Sequence, residues 1–222
     1  MLNTVFPNVE WGAFKDATIE TLYMTGVSVL FTFILGLMLG LALFLTNRGN
    51  QWENKFFNMI IAAVVNVFRS VPFIILIILL IPFTTFLFSS MLGANGALPA
   101  LIIGAAPFYA RMVEIAFREV DKGVIEAAKS MGATNFQIIF KVLIPESLPA
   151  LISGITVTAI ALVGYTAMAG VVGAGGLGNL AYIWGYQRDQ NDVTFVATVA
   201  ILIIVFIIQF IGDLITKRID KR

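Results

Sequence analysis

The sequence contains no histidine and no cysteine. Without histidine it lacks the commonest metal ligand and the commonest general base near neutral pH. Without cysteine it has neither disulfides nor thiolate metal sites. These two absences argue against most classes of enzyme. We therefore expect no catalytic residues, no bound metal and no cofactor on this chain.

Charged residues are also scarce, at 12% of the chain against 59% hydrophobic residues, with a mean hydropathy of +0.94. Soluble domains have about 25% charged residues, so this composition is typical of a membrane protein. The net charge of +1 gives no indication of nucleic-acid binding. A chain of 222 residues has room for about five or six spanning helices and for no separate catalytic domain.

Apolar segments divide the chain into predicted membrane spans, each of which needs about 20 residues as a helix. Four simple spans are predicted over residues 22–45, 98–116, 148–172 and 193–212. A further apolar region, residues 56–88, is interrupted at Arg69-Ser70-Val71-Pro72. We expect its first part to lie along the membrane interface, with Arg69 reaching the cytoplasmic headgroups. From Phe73 onward we expect the region to lie deep in the bilayer as a fifth span. Residues 93–96 predict a turn.

Lysine and arginine are distributed unevenly between the two predicted sides of the membrane. Twelve of the 14 lie on one predicted side: in the first loop together with Arg69, in the long loop, and in the C-terminal tail, which includes Lys221 and Arg222. The other side carries only Lys15 and Arg188. Positive residues favour the cytoplasm. The sequence therefore predicts an all-α polytopic membrane protein with five transmembrane helices, an external N-terminus and a cytoplasmic C-terminus. Residues 1–222 form a single transmembrane domain.

One polar segment, residues 122–145, predicts two short helices on the cytoplasmic face. Gly132 follows the first helix, where a left-handed residue commonly ends a helix. Thr134 and Gln137 have the spacing of a capping box for the second. Pro145 and Pro149 predict its end before the fourth span. The apolar stripe of the second helix is formed by Phe136, Ile139, Phe140 and Leu143.

The same segment carries a motif. Glu126-Ala127-Ala128, then Gly132, then Val142-Leu143-Ile144-Pro145 resembles the EAA…G…I-x-L-P loop of ABC importer permeases. Val142 replaces the usual isoleucine. The resemblance implies that residues 122–145 are the coupling-helix loop, which sits in a groove of a separate ATP-hydrolysing subunit. The residues implied in this coupling are Glu126, Ala127, Ala128, Gly132, Ala133, Phe136 and Pro145.

The chemistry of the loop suits such a contact. Small Ala127 and Ala128 allow close approach, and we expect Glu126 in the first turn of its helix, where the helix dipole favours a negative charge. The alternative is an amphipathic helix lying on lipid headgroups. No G-x-x-x-x-G-K-[ST] motif is present, so ATP and Mg²⁺ are expected on the partner ATPase.

Over residues 18–212 the chain further resembles the methionine-importer branch of this family. The most similar segments are residues 68–76, 104–114 and 162–168. The resemblance implies the ABC type I importer permease fold in a bacterial inner membrane, two ATPase subunits, an extracytoplasmic methionine-binding (lipo)protein and import of methionine in one or both stereoisomers. Because the sequence has no internal repeat, we expect a homodimer with the conduit along its two-fold axis.

Three other functions are weighed against methionine import. A permease for another amino acid or small solute would share the same motif. An ion-coupled secondary carrier would normally show charged groups deep in the membrane. We expect none there, because Arg111 and Glu114 lie near the exit of their predicted span. The missing histidine and cysteine disfavour an intramembrane enzyme.

The fourth predicted span carries an unusual set of residues for an apolar helix: Thr156, Thr158, Tyr165, Thr166 and Met168. Polar residues at bilayer depth usually face protein or water, so these side chains either pack between helices or line a conduit. We take Tyr165, Thr166 and Met168 as candidate pathway and gate residues.

Three further patterns have structural interpretations. The G-x-G-x-x-G run at residues 173–178 follows a membrane helix instead of a strand, so it predicts a flexible connection or a hinge near the external mouth and no dinucleotide site. Gly36-x-x-x-Gly40 predicts close helix packing within the chain. Arg111 and Glu114 are three apart and predict a salt bridge on one helical face.

Overall fold

The computed structural model describes residues 6–220, and every regular element among them is helical. The all-α prediction is therefore confirmed for this part of the chain. The charges of Lys221 and Arg222, and the first five residues, lie outside the described residues. The helices are α1 (Trp11–Thr46), α2 (Lys55–Ser70), α3 (Phe73–Leu79), α4 (Ile81–Phe88), α5 (Gly93–Arg118), α6 (Lys122–Ser130), α7 (Asn135–Ile138), α8 (Ile144–Val171), α9 (Gly176–Asn179) and α10 (Asn191–Ile219).

Four helices in the described part of the chain are long and apolar enough to cross a membrane. They are α1, α5, α10 and the continuous helix Asn135–Val171. A fifth span results if α2 and α3, bent by 106° at residues 71–72, are taken as one broken span. Pro72 accounts for the break because it disfavours helical geometry at Val71, whose ψ is 124°. Four to five spans agree with the predicted five, and the sidedness of the ends stays a prediction.

The predicted turn at residues 93–96 is wrong, because these residues form the first turn of α5. The chain reverses earlier, at Ser89, which adopts the left-handed conformation with φ 59°. Gly93 then begins α5, and its N–H donates to the carbonyl of Gly173 at 2.9 Å. This bond ties the start of α5 to the turn that follows α8.

The core is built on close contact between α1 and α5. A Cβ atom added to Gly36 would lie 2.6 Å from the Tyr109 ring, and one added to Gly40 would lie 2.5 Å from the Ala110 carbonyl. The two glycines thus form a flat surface on which α5 rests. The prediction that Gly36-x-x-x-Gly40 mediates packing within the chain is confirmed.

The glycine-rich run after α8 forms a closed turn packed against two helices. Gly173, Gly175 and Gly176 all have positive φ, which glycine adopts without strain. The N–H of Gly176 donates to Glu20 Oε2 at 2.6 Å, and the N–H of Leu177 donates to Thr21 Oγ1 at 2.8 Å. The glycines allow the backbone to approach α1 and α8 closely, and the flexible connection or hinge stays a prediction.

Candidate functional site

The segment between α5 and α8 has a sharply defined local structure. Asp121 caps α6, its carboxylate accepting from the N–H of Gly123 at 2.6 Å. At the other end Gly132 has φ +81°. Its N–H donates to the carbonyl of Lys129 at 2.9 Å, and the N–H of Ala133 donates to that of Ala128 at 3.1 Å. This is a Schellman motif, and the role predicted for Gly132 is confirmed.

The second helix begins as predicted and ends differently. Thr134 and Gln137 form the reciprocal capping box. The helix then widens into a π-helical segment, Ile139–Leu143, and continues without interruption into α8. The prediction that Pro145 and Pro149 end the helix is therefore wrong. In the widened turn the N–H of Ile144 bonds to the carbonyl of Ile139, so Pro145 enters α8 at its first turn, where a missing N–H is tolerated.

The π-helical segment also changes which side chains share a face. Ile139 and Leu143 are buried, together with Ile138. Phe136 and Phe140 are instead 66% and 63% exposed. The predicted single stripe is therefore wrong, because Ile139 and Leu143 face the core whereas Phe136 and Phe140 face outwards.

The predicted coupling residues separate into an inner and an outer group. Ala128 is buried in the core cluster around Tyr109, and Ala133 is half-buried against it. The others lie on the outside: Glu126, Ala127, Gly132, Phe136 and Pro145. Glu126 lies in the second turn of α6, so the expectation that it occupies the first turn is wrong, and Asp121 supplies the negative charge at the helix start.

Two exposed apolar side chains beside this outer group were not among the predicted coupling residues. Met131 is 82% exposed, and Phe140 lies one turn after Phe136. We call the patch formed by Glu126, Ala127, Met131, Gly132, Phe136 and Phe140 the loop surface. Exposed apolar groups rimmed by charge, here Lys122 and Lys129, are typical of a protein-binding surface.

The candidate pathway residues on α8 do not all lie together. Thr166 is buried, and its hydroxyl donates to the carbonyl of Val163 at 2.7 Å. Tyr165 and Met168 lie on another face. The Tyr165 ring stacks on Phe73, with centroids 4.5 Å apart and planes at 1°, and Met168 is 46% exposed. The structure thus separates Thr166 from the other two, whose role in a pathway stays a prediction.

An arginine lies beside this aromatic stack. A cavity of about 240 Å³ is lined by Arg69, Phe73, Gly104 and Tyr165, among others. Gly104 lies near the middle of α5, and Tyr165 lies six residues before the end of α8. Arg69 thus lies beside the stack of Phe73 and Tyr165, and the expectation that it reaches the cytoplasmic headgroups stays a prediction.

A second charged cluster lies at the end of α5. Glu114 is 2% exposed and forms salt bridges with Arg111 and Arg118. The predicted Arg111–Glu114 pair is confirmed, and Arg118, four residues further on the same face, was missed. Glu114 neutralises much of the local charge and connects adjacent turns of the helix. Among residues 6–220 no group of three or more acidic side chains is placed to hold a metal ion.

Comparisons with known proteins agree with this geometry. Residues 32–222 match the family model of the binding-protein-dependent transport system inner membrane component. The chain is 70% identical to the methionine import system permease protein MetP of Bacillus subtilis, over the full length of both proteins. It is 47% identical to the probable D-methionine transport system permease protein MetI of Pasteurella multocida, over 96% of this chain and 98% of that protein.

A solved structure of the MetNI methionine ABC transporter in an inward-facing conformation is also similar. Its matching chain shares 44% sequence identity and superposes with a TM-score of 0.93, over 95% of this chain and 98% of that one. The fold found here is thus that of a non-catalytic ABC transporter subunit crossing the inner membrane several times. The chain belongs to the binding-protein-dependent transport system inner membrane component family.

Proposed function

We propose that this protein is the membrane-spanning permease subunit of an ATP-driven importer of methionine. The observation that carries the proposal is the 70% identity, without gaps in coverage, to a methionine import permease. The superposition on a chain of a methionine ABC transporter, which compares backbone positions and not residue types, also supports the proposal. The chain supplies the route through the membrane, and a separate ATPase supplies the energy.

Two copies of the chain would form the conduit between them. One face of α8 exposes Val157, Gly164, Met168 and Val171 and half-exposes Ala161. The spacings of four, three, four and three residues place these side chains on one stripe, as at a helix–helix interface. Small Ala161 and Gly164 allow close approach. The stripe supports a homodimer whose two-fold axis runs beside Met168.

The loop surface is the proposed docking site for an ATPase subunit, so the two copies of the chain would bind two ATPase subunits. ATP and Mg²⁺ would bind to the ATPase subunits and not to this chain. The continuous helix Asn135–Val171 links Phe136 at the loop surface to Met168 at the proposed conduit. Displacement of the loop by a closing ATPase would therefore move α8 as a stiff rod. Such rigid movement of helices at an interface is a common way of alternating access.

The closed glycine turn lies at the opposite end of the bundle, where the positive-inside rule places the exterior. We propose that an extracytoplasmic methionine-binding protein delivers its ligand to this end. In this orientation residues 122–145 face the cytoplasm and lie within a single domain, residues 1–222.

Transport by the reconstituted complex tests this function. The permease, its ATPase and its binding protein are assembled in liposomes, and uptake of labelled L-methionine is measured with ATP and with a non-hydrolysable analogue. We expect uptake with ATP only, and competition by unlabelled methionine above other amino acids. Uptake of another solute in preference would contradict the substrate, and uptake without the ATPase would contradict the mechanism.

A further inference from the structure

We propose that Arg69 binds the carboxylate of the amino acid during its passage, in the aromatic cavity between α3, α5 and α8. This inference rests on the proposed function, because it assumes that an amino acid crosses here. We call this space the Arg69 cavity. It is lined by Phe68, Arg69, Val71, Phe73, Gly104 and Tyr165, among others.

The first argument concerns charge. Arg69 makes no salt bridge within residues 6–220, where the two ion pairs found join Glu114 to Arg111 and Arg118. A guanidinium group stays protonated in proteins, so Arg69 brings a positive charge to the lining of the cavity. The side chain of Arg69 is exposed beside the cavity. It is therefore available to an anion that arrives from outside the chain.

The second argument concerns geometry. Arg69 is the second-last residue of α2, directly before the 106° bend at residues 71–72. The bend brings the end of α2 beside the start of α3, where Phe73 is stacked on Tyr165. The guanidinium and the stacked rings therefore border the same cavity. A planar fork of N–H donors matches a carboxylate in bidentate geometry.

The third argument concerns the remaining lining, which is aromatic and apolar. The rings of Phe68, Phe73, Phe108 and Tyr165 surround the space, and a thioether makes favourable contacts with such rings. A Cβ at Gly104 would lie 3.3 Å from the Phe73 ring, so the absence of a side chain at Gly104 leaves room for that ring. The cavity of about 240 Å³ is below the range of about 300–1,000 Å³ typical of drug-sized ligands. It suits a small amino acid.

A site within a conduit has to release its ligand at every cycle. The lining of the Arg69 cavity offers one charged group for the carboxylate, several aromatic rings, and no acidic side chain for the ammonium group. Such a lining would bind an amino acid weakly enough to release it. Removal of a hydrogen bond to a charged group typically weakens binding by about ten- to a hundredfold. The expected signature is therefore a loss of preference for a carboxylate, and not a loss of all binding.

Competition binding tests the proposal directly. The permease–ATPase complex is placed in lipid nanodiscs without the binding protein, and labelled L-methionine is displaced by unlabelled methionine or by methioninol. Methioninol keeps the side chain and the ammonium group and has a hydroxymethyl group in place of the carboxylate. We expect the wild type to prefer methionine by about ten- to a hundredfold. We expect Arg69→Gln to bind both ligands equally.

Two further variants complete the design. Arg69→Lys keeps the charge and loses the bidentate fork, so we expect it to retain part of the preference for methionine over methioninol. If Arg69→Gln does not assemble with the ATPase in size-exclusion chromatography, the preference measured for Arg69→Lys tests the proposal in its place. Arg218→Gln removes an exposed arginine at the end of α10 and keeps the full preference. A wild-type preference that survives in Arg69→Gln, or no preference in the wild type, would overturn the proposal. Methionine uptake by the wild type, measured separately, shows whether the proposed function itself stands.

Discussion

The contact between α1 and α5 permits a quantitative prediction, because a glycine at the contact can be compared with a glycine away from it. In Gly40→Ala the new Cβ atom would lie 2.5 Å from the Ala110 carbonyl oxygen and from the Val113 side chain. Ordinary contact begins at 3.4 Å, so the helices must separate by almost 1 Å. Overpacking of this kind costs about 1–3 kcal/mol. For a chain of this size that lowers the melting temperature by roughly 2–12 °C.

The matched control is Gly26→Ala in the same helix, where nothing lies within 4 Å of the added Cβ atom. Alanine has the higher helix propensity, so this variant is expected to melt at or slightly above the wild-type temperature. The assay is fluorescence-detected size-exclusion chromatography of both purified variants after heating in one detergent. Equal melting temperatures for Gly40→Ala and Gly26→Ala would refute the close packing of α1 on α5.

Three further outcomes are expected at the loop surface, in the topology and at the conduit. Glu126→Lys adds a cation beside Arg48, Lys122 and Lys129, which border the same cleft, so insertion stays normal while ATP-dependent uptake falls; wild-type uptake would argue against docking there. A cysteine at Gln187 is labelled from the periplasm and one at Asn135 only from the cytoplasm, and labelling of both from one side would contradict the topology. Met168→Ala removes an exposed side chain, so the loss of stability should be much smaller than the roughly 2–5 kcal/mol typical of a buried methionine. Uptake by this variant should become leaky. Lower thermal stability with unchanged transport would mean that Met168 only packs between helices.

The sequence predicted those features that depend on near neighbours in the chain. Gly132 and the Thr134–Gln137 box specify their own hydrogen bonds, and Gly36 and Gly40 show their packing role by spacing alone. Each pattern works because donor and acceptor, or the two small residues, lie within a turn or two of helix. The spans were predicted from the lengths of the apolar runs, which are likewise a property of neighbouring residues.

The features that were missed depend on contacts between distant segments. The π-helical segment Ile139–Leu143 forms where Ile138, Ile139 and Leu143 join a core cluster with Phe117, and no local signal marks it. The place of Arg69 beside a cavity shared with α5 and α8 follows from the bend at residues 71–72. Likewise, nothing near residues 173–178 shows that Glu20 would accept from their backbone.

The bonds from Glu20 to Gly176 and from Thr21 to Leu177 join groups 156 residues apart in the chain. A ribosome completes α1 long before it makes the turn that occupies these acceptors. Glu20 and Thr21 must therefore remain hydrated at the bilayer surface, or be held by another protein, until residue 177 has been synthesised and inserted. Assembly of this bundle is thus completed only late in biosynthesis, and nascent chains that stop before the glycine turn should leave α1 undocked and accessible to membrane quality-control proteases.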